Sequence, residues 1–99
     1  MKVTIIGSGN FSSKNGASSI MITNESEPTI LNLFDCGDTV FRELLQITDG
    51  LKDIETVNVF ITHNHADHIG SLASLILYCQ FVKNLELNIY AKDVAYIPN

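Results

Sequence analysis

Apolar residues recur along this chain with two different periods, and the places where the period changes predict its elements. KVTIIG at residues 2–7 and SSIMIT at 18–23 are short apolar runs separated by the polar, glycine-containing SGNFSSKNGA. That composition predicts two strands joined by a loop. ILNLFD at 30–35 is a third apolar run, entered from the turn-like NESEP. In TVNVFIT at 56–62, Val57, Val59 and Ile61 alternate with Asn58 and Phe60, and LELNIYA at 85–91 alternates at Leu85, Leu87, Ile89 and Ala91. A period of two puts successive side chains on opposite faces of a strand.

Helical spacing appears twice between these runs. Phe41, Leu44, Leu45 and Thr48 recur at helical intervals through VFRELLQ, with Asp38 or Thr39 placed to cap the helix start. Residues 70–82 predict a second helix, with Leu72, Leu75, Ile76 and Cys79 on one stripe. The order is strand-rich at first, then strand–loop–helix–strand. It predicts an α/β arrangement with a mixed sheet and flanking helices. The second helix is too apolar for a surface position. Leu77, Tyr78, Phe81 and Val82 lie off its stripe, so a further surface is expected to cover them.

Length and charge then narrow the function. Ninety-nine residues make one small domain at most, or a piece of a larger one. With 6 Lys and Arg against 11 Asp and Glu, the chain carries a net charge of -5, which argues against a general nucleic-acid surface. The run from Val3 to Ile6 is too short for the apolar core of a signal peptide, and no stretch approaches the length of a membrane span. Cys36 and Cys79 sit in apolar segments and need not pair. A cytoplasmic protein with no membrane contact is expected.

The chemistry is concentrated in ITHNHADHIG, residues 61–70. His63, His65 and His68 are all the histidines in the chain, and Asp67 lies between the last two. Residues two apart on a segment leaving a strand share a side, so His63 and His65 can bind one metal. Asp67 and His68, on the turn toward the next helix, can hold a second metal or complete the first shell. Imidazole with carboxylate suits zinc, with manganese or iron as further fits. Two such ions about 3.5–4 Å apart polarise a phosphoryl or carbonyl oxygen and generate hydroxide near neutral pH. No Lys or Arg lies between Lys52 and Lys83 to oppose the bound charge. Asp35 and Asp38 in LFDCGD, and the glycines of GSG at 7–9, read first as turn residues.

THNHADHIG matches the His-x-His-x-Asp-His signature of the metallo-β-lactamase fold superfamily. The flanking IIGSGNFSSKNGASSIMI, LFDCGD and GSLASLILY resemble its ribonuclease Z-like branch, and the likeness covers nearly the whole chain. The resemblance implies residues 1–99 as the N-terminal half of an αββα sandwich whose two halves meet at a binuclear metal site. It implies that His63 and His65 bind the first metal, and Asp67 and His68 the second. Asp67 would also be catalytic, handling the proton of the hydroxide, and Asp35 would orient the ligands from behind them. The family's remaining ligands come from its second half, and no histidine lies outside 63–68. The chain is therefore expected to be incomplete, or a natural half-protein.

The resemblance implies a zinc-dependent phosphodiesterase acting on a cyclic nucleotide or an RNA phosphodiester through a metal-bound hydroxide. DCGDTVF, where transfer-RNA-processing members continue DCGEGTQ, leans toward the cyclic nucleotide, the substrate class of phage enzymes that remove defence signals. Two alternatives stand beside it. One is a hydrolase of the same fold acting on a thioester or lactone. The other is a truncated module that binds metal or mediates association without activity of its own. A homo-oligomer or a missing C-terminal half is the expected partner.

Overall fold

The computed structural model describes residues 1–6, 19–37, 39–61 and 70–91. Five strands form one mixed sheet in the order β1-β2-β3-β4-β5: β1 (Lys2–Ile5), β2 (Ile20–Asn24), β3 (Glu27–Phe34), β4 (Thr56–Ile61) and β5 (Glu86–Ala91). β1, β2 and β3 pair antiparallel, whereas β3, β4 and β5 pair parallel. Parallel neighbours need crossovers. The helix α1 (Val40–Thr48) joins β3 to β4; α2 (Leu72–Leu77), continued by a π-helical turn at Tyr78–Val82, lies between β4 and β5. The mixed sheet with helices and its element order agree with the sequence expectation. β3 differs, beginning at Glu27 rather than residue 30, with Pro28 ahead of the register shared with β4.

Strand alternation sorts the sheet into two unlike faces. On one, Leu31 pairs with Val57, which pairs with Leu87, and Leu33 pairs with Met21 and Val59, the latter pairing with Ile89. Leu31, Leu33, Val57 and Val59 are wholly buried there, in one core with Val40 and Leu44 of α1, Leu72 and Leu75 of α2, and Cys36, Leu51 and Cys79. Each fully buried aliphatic side chain contributes about 1.5–3 kcal/mol, so this face carries most of the apolar stabilisation.

The other face has no helix on it among the described residues. Register puts Ile5, Ile20, Phe34, Phe60 and Tyr90 in a single row across all five strands. Phe34 stacks on Phe60 with centroids 4.8 Å apart, and Phe60 on Tyr90 at 5.0 Å. Beside this row runs an amide ladder. Asn58 Nδ2 donates to Asn32 Oδ1 (3.1 Å), and Asn88 Nδ2 donates to Asn58 Oδ1 (3.0 Å). Val3, Ile5, Ile20 and Tyr90 remain 40 to 66% exposed.

The off-stripe residues of the second helix divide. Leu77, Phe81 and Val82 are exposed as the sequence predicted. Tyr78 departs from that expectation. It packs edge-on to Phe41 at 5.6 Å and donates its hydroxyl to Gly50 O (2.9 Å), so its ring already has a cover within the chain. Ordinary helical geometry accounts for this: Tyr78 has α dihedrals and stands three residues after the buried Leu75, at the margin of the stripe that faces the core.

Candidate metal centre

Parallel strands deliver their C-terminal ends to a common edge, and ligands in open α/β sheets bind at that edge. β1 runs antiparallel to β2, and β2 to β3, so β1 shares the direction of β3, β4 and β5. Four C-terminal ends therefore meet along one side of the sheet. Asp35, Cys36 and Gly37 follow β3 there, and the segment with every histidine follows β4. His63, His65, Asp67 and His68, the four expected ligands, lie outside the described residues, as do Asp38 and the GSG of residues 7–9. Among the described residues no three His, Cys, Asp or Glu side chains gather as a metal site.

What surrounds that segment is well defined. Its upstream end is β4, where Phe60 O accepts a hydrogen bond from Asp35 N (2.8 Å). Its downstream end is Ser71, whose N–H donates to Cys36 O (3.1 Å). Both ends of the histidine segment are thus tied to the turn that carries Asp35. From the other side, Ser19 Oγ donates to Asp35 O (2.8 Å), and Ser19 O accepts from Ile6 N (2.8 Å). Asp35 itself is buried and sits at φ 68, in the left-handed region that few non-glycine residues occupy. Backbone outliers of this kind persist where their surroundings over-determine them, and they concentrate at functional sites. The sequence marked Asp35 as a turn residue first and a ligand-orienting residue by resemblance; the structure ties its turn to Phe60 and Ser71, the described residues on either side of the histidine sequence.

Cys36 and Cys79 are free and buried, as expected. Burial pushes the Cys36 thiol up to about 11, offset in part by its contact with Ser71 and reinforced by Cys79 and Asp35. Burial alone raises Cys79 to about 11. Both therefore stay protonated at neutral pH and behave as small core residues. A thiol must ionise to ligate metal or attack an electrophile.

Capping is where the sequence reading missed something. Thr39 occupies the N-cap of α1, but its side chain makes no cap hydrogen bond and its Oγ1 has no partner. The N–H of Phe41 is capped instead by Ser71 Oγ at 3.0 Å, from 30 residues further along the chain. Nothing local in the sequence signals so distant a partner; Ser71 reads only as a polar position at a helix start.

Comparison with known proteins fixes the family. The sequence pattern of the family described as Anti-Pycsar protein Apyc1 matches residues 1–96. The chain belongs to the Anti-Pycsar protein Apyc1 family. The Apyc1 protein of Bacillus phage vB_BsuM-Goe3 is 37% identical over 82 residues, covering 82% of this chain and 30% of the phage protein. Ribonuclease Z of Thermoplasma acidophilum is also 37% identical, over 62 residues, with 62% of this chain and 20% of that enzyme covered. Among solved structures, the metallo-β-lactamase fold protein YhfI of Bacillus subtilis superposes with a TM-score of 0.71 at 26% identity. That match covers 93% of this chain and 36% of YhfI. The Apyc1-family chain described here thus has the metallo-β-lactamase fold with ribonuclease Z-like relatives, as its motifs suggested. It spans about a third or less of the length of each of these proteins.

Proposed function

We propose that this chain carries part of the metal centre of a zinc-dependent phosphodiesterase whose substrate is a cyclic nucleotide. The observation that carries the reading is that the residues flanking the histidine sequence, Phe60 and Ser71, both hydrogen-bond to the Asp35–Cys36 turn. The sequence between those two anchors carries three imidazoles and a carboxylate, and the turn carries a second carboxylate at the edge where strand ends converge. The donor set fits zinc, which favours nitrogen and oxygen ligands. When bound, zinc supplies Lewis acidity toward a phosphoryl oxygen and lowers the pKa of a water. His63 and His65 would hold the first ion, and Asp67 and His68 the second, in a site for two divalent ions with Mn2+ or Fe2+ as substitutes. Asp67 is also placed in the role of proton acceptor for the attacking water. Asp35 orients the imidazoles.

Family membership and DCGDTVF support a cyclic nucleotide over RNA, with the identity to ribonuclease Z favouring an RNA phosphodiester as second reading. The remaining ligands would come from a C-terminal half or from a second copy of the chain. Residues 1–99 are then the N-terminal half of the catalytic domain. A cytoplasmic setting belongs to the same reading, supported by the two free, buried thiols. Among the described residues no helix is long and apolar enough to cross a membrane.

Zinc per chain, measured by atomic emission, tests the centre. The parent should bind zinc and His65→Ala should lose most of it; equal content in the two would overturn the ligand assignment. Hydrolysis of bis-p-nitrophenyl phosphate should then fall to background in Asp67→Ala. Cyclic mononucleotides and a transfer-RNA precursor, compared on one preparation, separate the two substrate readings.

A further inference from the structure

The sheet face turned away from the helices carries three rows of side chains fixed by register. The first runs from Ile5 through Ile20, Phe34 and Phe60 to Tyr90. The second, the amide row, is Val3, Ile22, Asn32, Asn58 and Asn88. The third is Ile30, Thr56 and Glu86. None of these residues is buried. Among the described residues of this face Glu86 is the only charged one, although 17% of the chain is charged. Depleted charge and enriched aromatic side chains mark the centre of a protein interface rather than ordinary surface. In projection the rows cover roughly 24 by 17 Å, about 400 Å². Protruding side chains raise the accessible area to about 600 Å² per copy, so two such faces in contact bury about the 1,200 Å² at which stable interfaces begin.

The amide row restricts what can cover the face. Asn58 Nδ2 donates to Asn32 Oδ1, and Asn88 Nδ2 donates to Asn58 Oδ1. Asn58 thus retains one hydrogen and one lone pair, and Asn32 both hydrogens and one lone pair. Both amides are half-exposed and leave this capacity to solvent. An apolar cover would strip the solvent and pair nothing, offsetting much of the gain from burying the aromatic row. A fitting cover has a polar strip along this row and apolar side chains on either side of it. The chain itself offers that pattern. A half-turn about an axis crossing the strands at the amide row puts amides opposite amides. It also lays the first row of each copy on the third row of the other, with Phe34 opposite Ile30, Phe60 opposite Thr56 and Tyr90 opposite Glu86. The one carboxylate then faces a phenol that can donate to it. Aligned sheets stack about 10 Å apart with their strands offset by about 30°, so the match is closest on the central strand β3, at Asn32.

We infer that this face is the interface of a homodimer, in which a second copy of the chain packs face to face about a two-fold axis crossing the strands at the amide row. The inference stands apart from the metal-centre reading and uses none of its residues. Two-fold symmetry has a consequence that no unlike cover shares: a residue on the axis meets its own copy. Asn32 is that residue.

The test uses the 99-residue chain, with size-exclusion chromatography and light scattering as the readout and circular dichroism as the check of folding. The parent should run as a dimer of the 10.9 kDa chain. Asn32→Asp keeps the acceptor for Asn58 Nδ2 but sets two carboxylates face to face, and Asn32→Lys does the same with two ammonium groups. Like charges brought together disfavour an interface, so each variant alone should dimerise about 10-fold or more weakly than the parent. Mixed in equal amounts they should recover the dimer, because aspartate then faces lysine. Gln46→Glu and Gln46→Lys, the same charge changes on the exposed surface of α1, should stay dimeric. If either Asn32 variant fails to fold, Asn58→Asp and Asn58→Lys repeat the comparison one strand away. A monomeric parent overturns the inference and leaves the face to another cover, an unlike partner or further chain. Charged variants as dimeric as the parent overturn it too, and so does a folded mixture that stays monomeric.

Discussion

Two neighbouring residues of β3, Leu33 and Phe34, face opposite sides of the sheet and should differ in what their truncation costs. Leu33 is wholly buried under the helices, between Met21 and Val59 in the register. Leu33→Ala removes its transfer energy and leaves a cavity, a loss of about 3 kcal/mol within the usual 2–5 kcal/mol range. Phe34 is only half-buried on the open face, and its main partner is the stacked ring of Phe60. An aromatic pair contributes about 0.5–1.5 kcal/mol beyond area, and a half-buried ring adds roughly half the 1.5–3 kcal/mol of full burial, so Phe34→Ala should cost about 2 kcal/mol in the isolated monomer. The larger side chain is thus expected to matter less. Urea unfolding followed by far-ultraviolet circular dichroism measures both. At a slope of about 1–3 kcal/mol per molar urea, Leu33→Ala lowers the midpoint by about 1 M or more and Phe34→Ala by about two-thirds of that. Running the series at two protein concentrations adds a second reading. If copies of the chain cover the open face, the cost of Phe34→Ala grows with concentration, while that of Leu33→Ala does not. A Phe34→Ala cost equal to that of Leu33→Ala at the lowest, monomeric concentration would refute the one-sided core.

The exposed apolar surfaces should drive association of residues 1–99. Size-exclusion chromatography with light scattering should show an oligomer that Phe60→Glu, or Leu77→Glu with Phe81→Glu, shifts toward monomer; a well-folded monomeric parent would contradict this. Cys36 and Cys79 should resist thiol reagents at neutral pH until urea unfolds the chain, and fast labelling of the native protein would show that the thiols are accessible. Both thiols have a folded pKa raised from 9.0 to about 11, so the folded state retains protons that the unfolded state has lost. Their stabilisation is present below pH 9 and is lost as pH rises through about 11, at most about 3 kcal/mol from Cys36. Urea midpoints measured from pH 8 to pH 11 should fall accordingly, and a Cys36→Ala variant should flatten that fall.

The sequence alone determined the element types and singled out the segment expected to carry the chemistry. Val57, Val59 and Ile61 had to face one side of β4 because a strand alternates, and Leu72, Leu75 and Cys79 had to face the core because a helix repeats every 3.6 residues. Both patterns are local and hold before any packing is known. The His-x-His-x-Asp-His spacing is local in the same sense. Register was not local. Only pairing of the strands aligned Ile5, Ile20, Phe34, Phe60 and Tyr90 into one open row, because each residue comes from a different strand. Tyr78, at the margin of its helix stripe, was left without a cover by the spacing alone, because its partners Phe41 and Gly50 come from the segment before β4. The cap on α1 came from Ser71 rather than Thr39, since an orphan N–H takes whichever acceptor the fold brings within reach. Sequence periodicity sets which way a side chain points from its own element. Which residues it meets there is decided only when the elements pack.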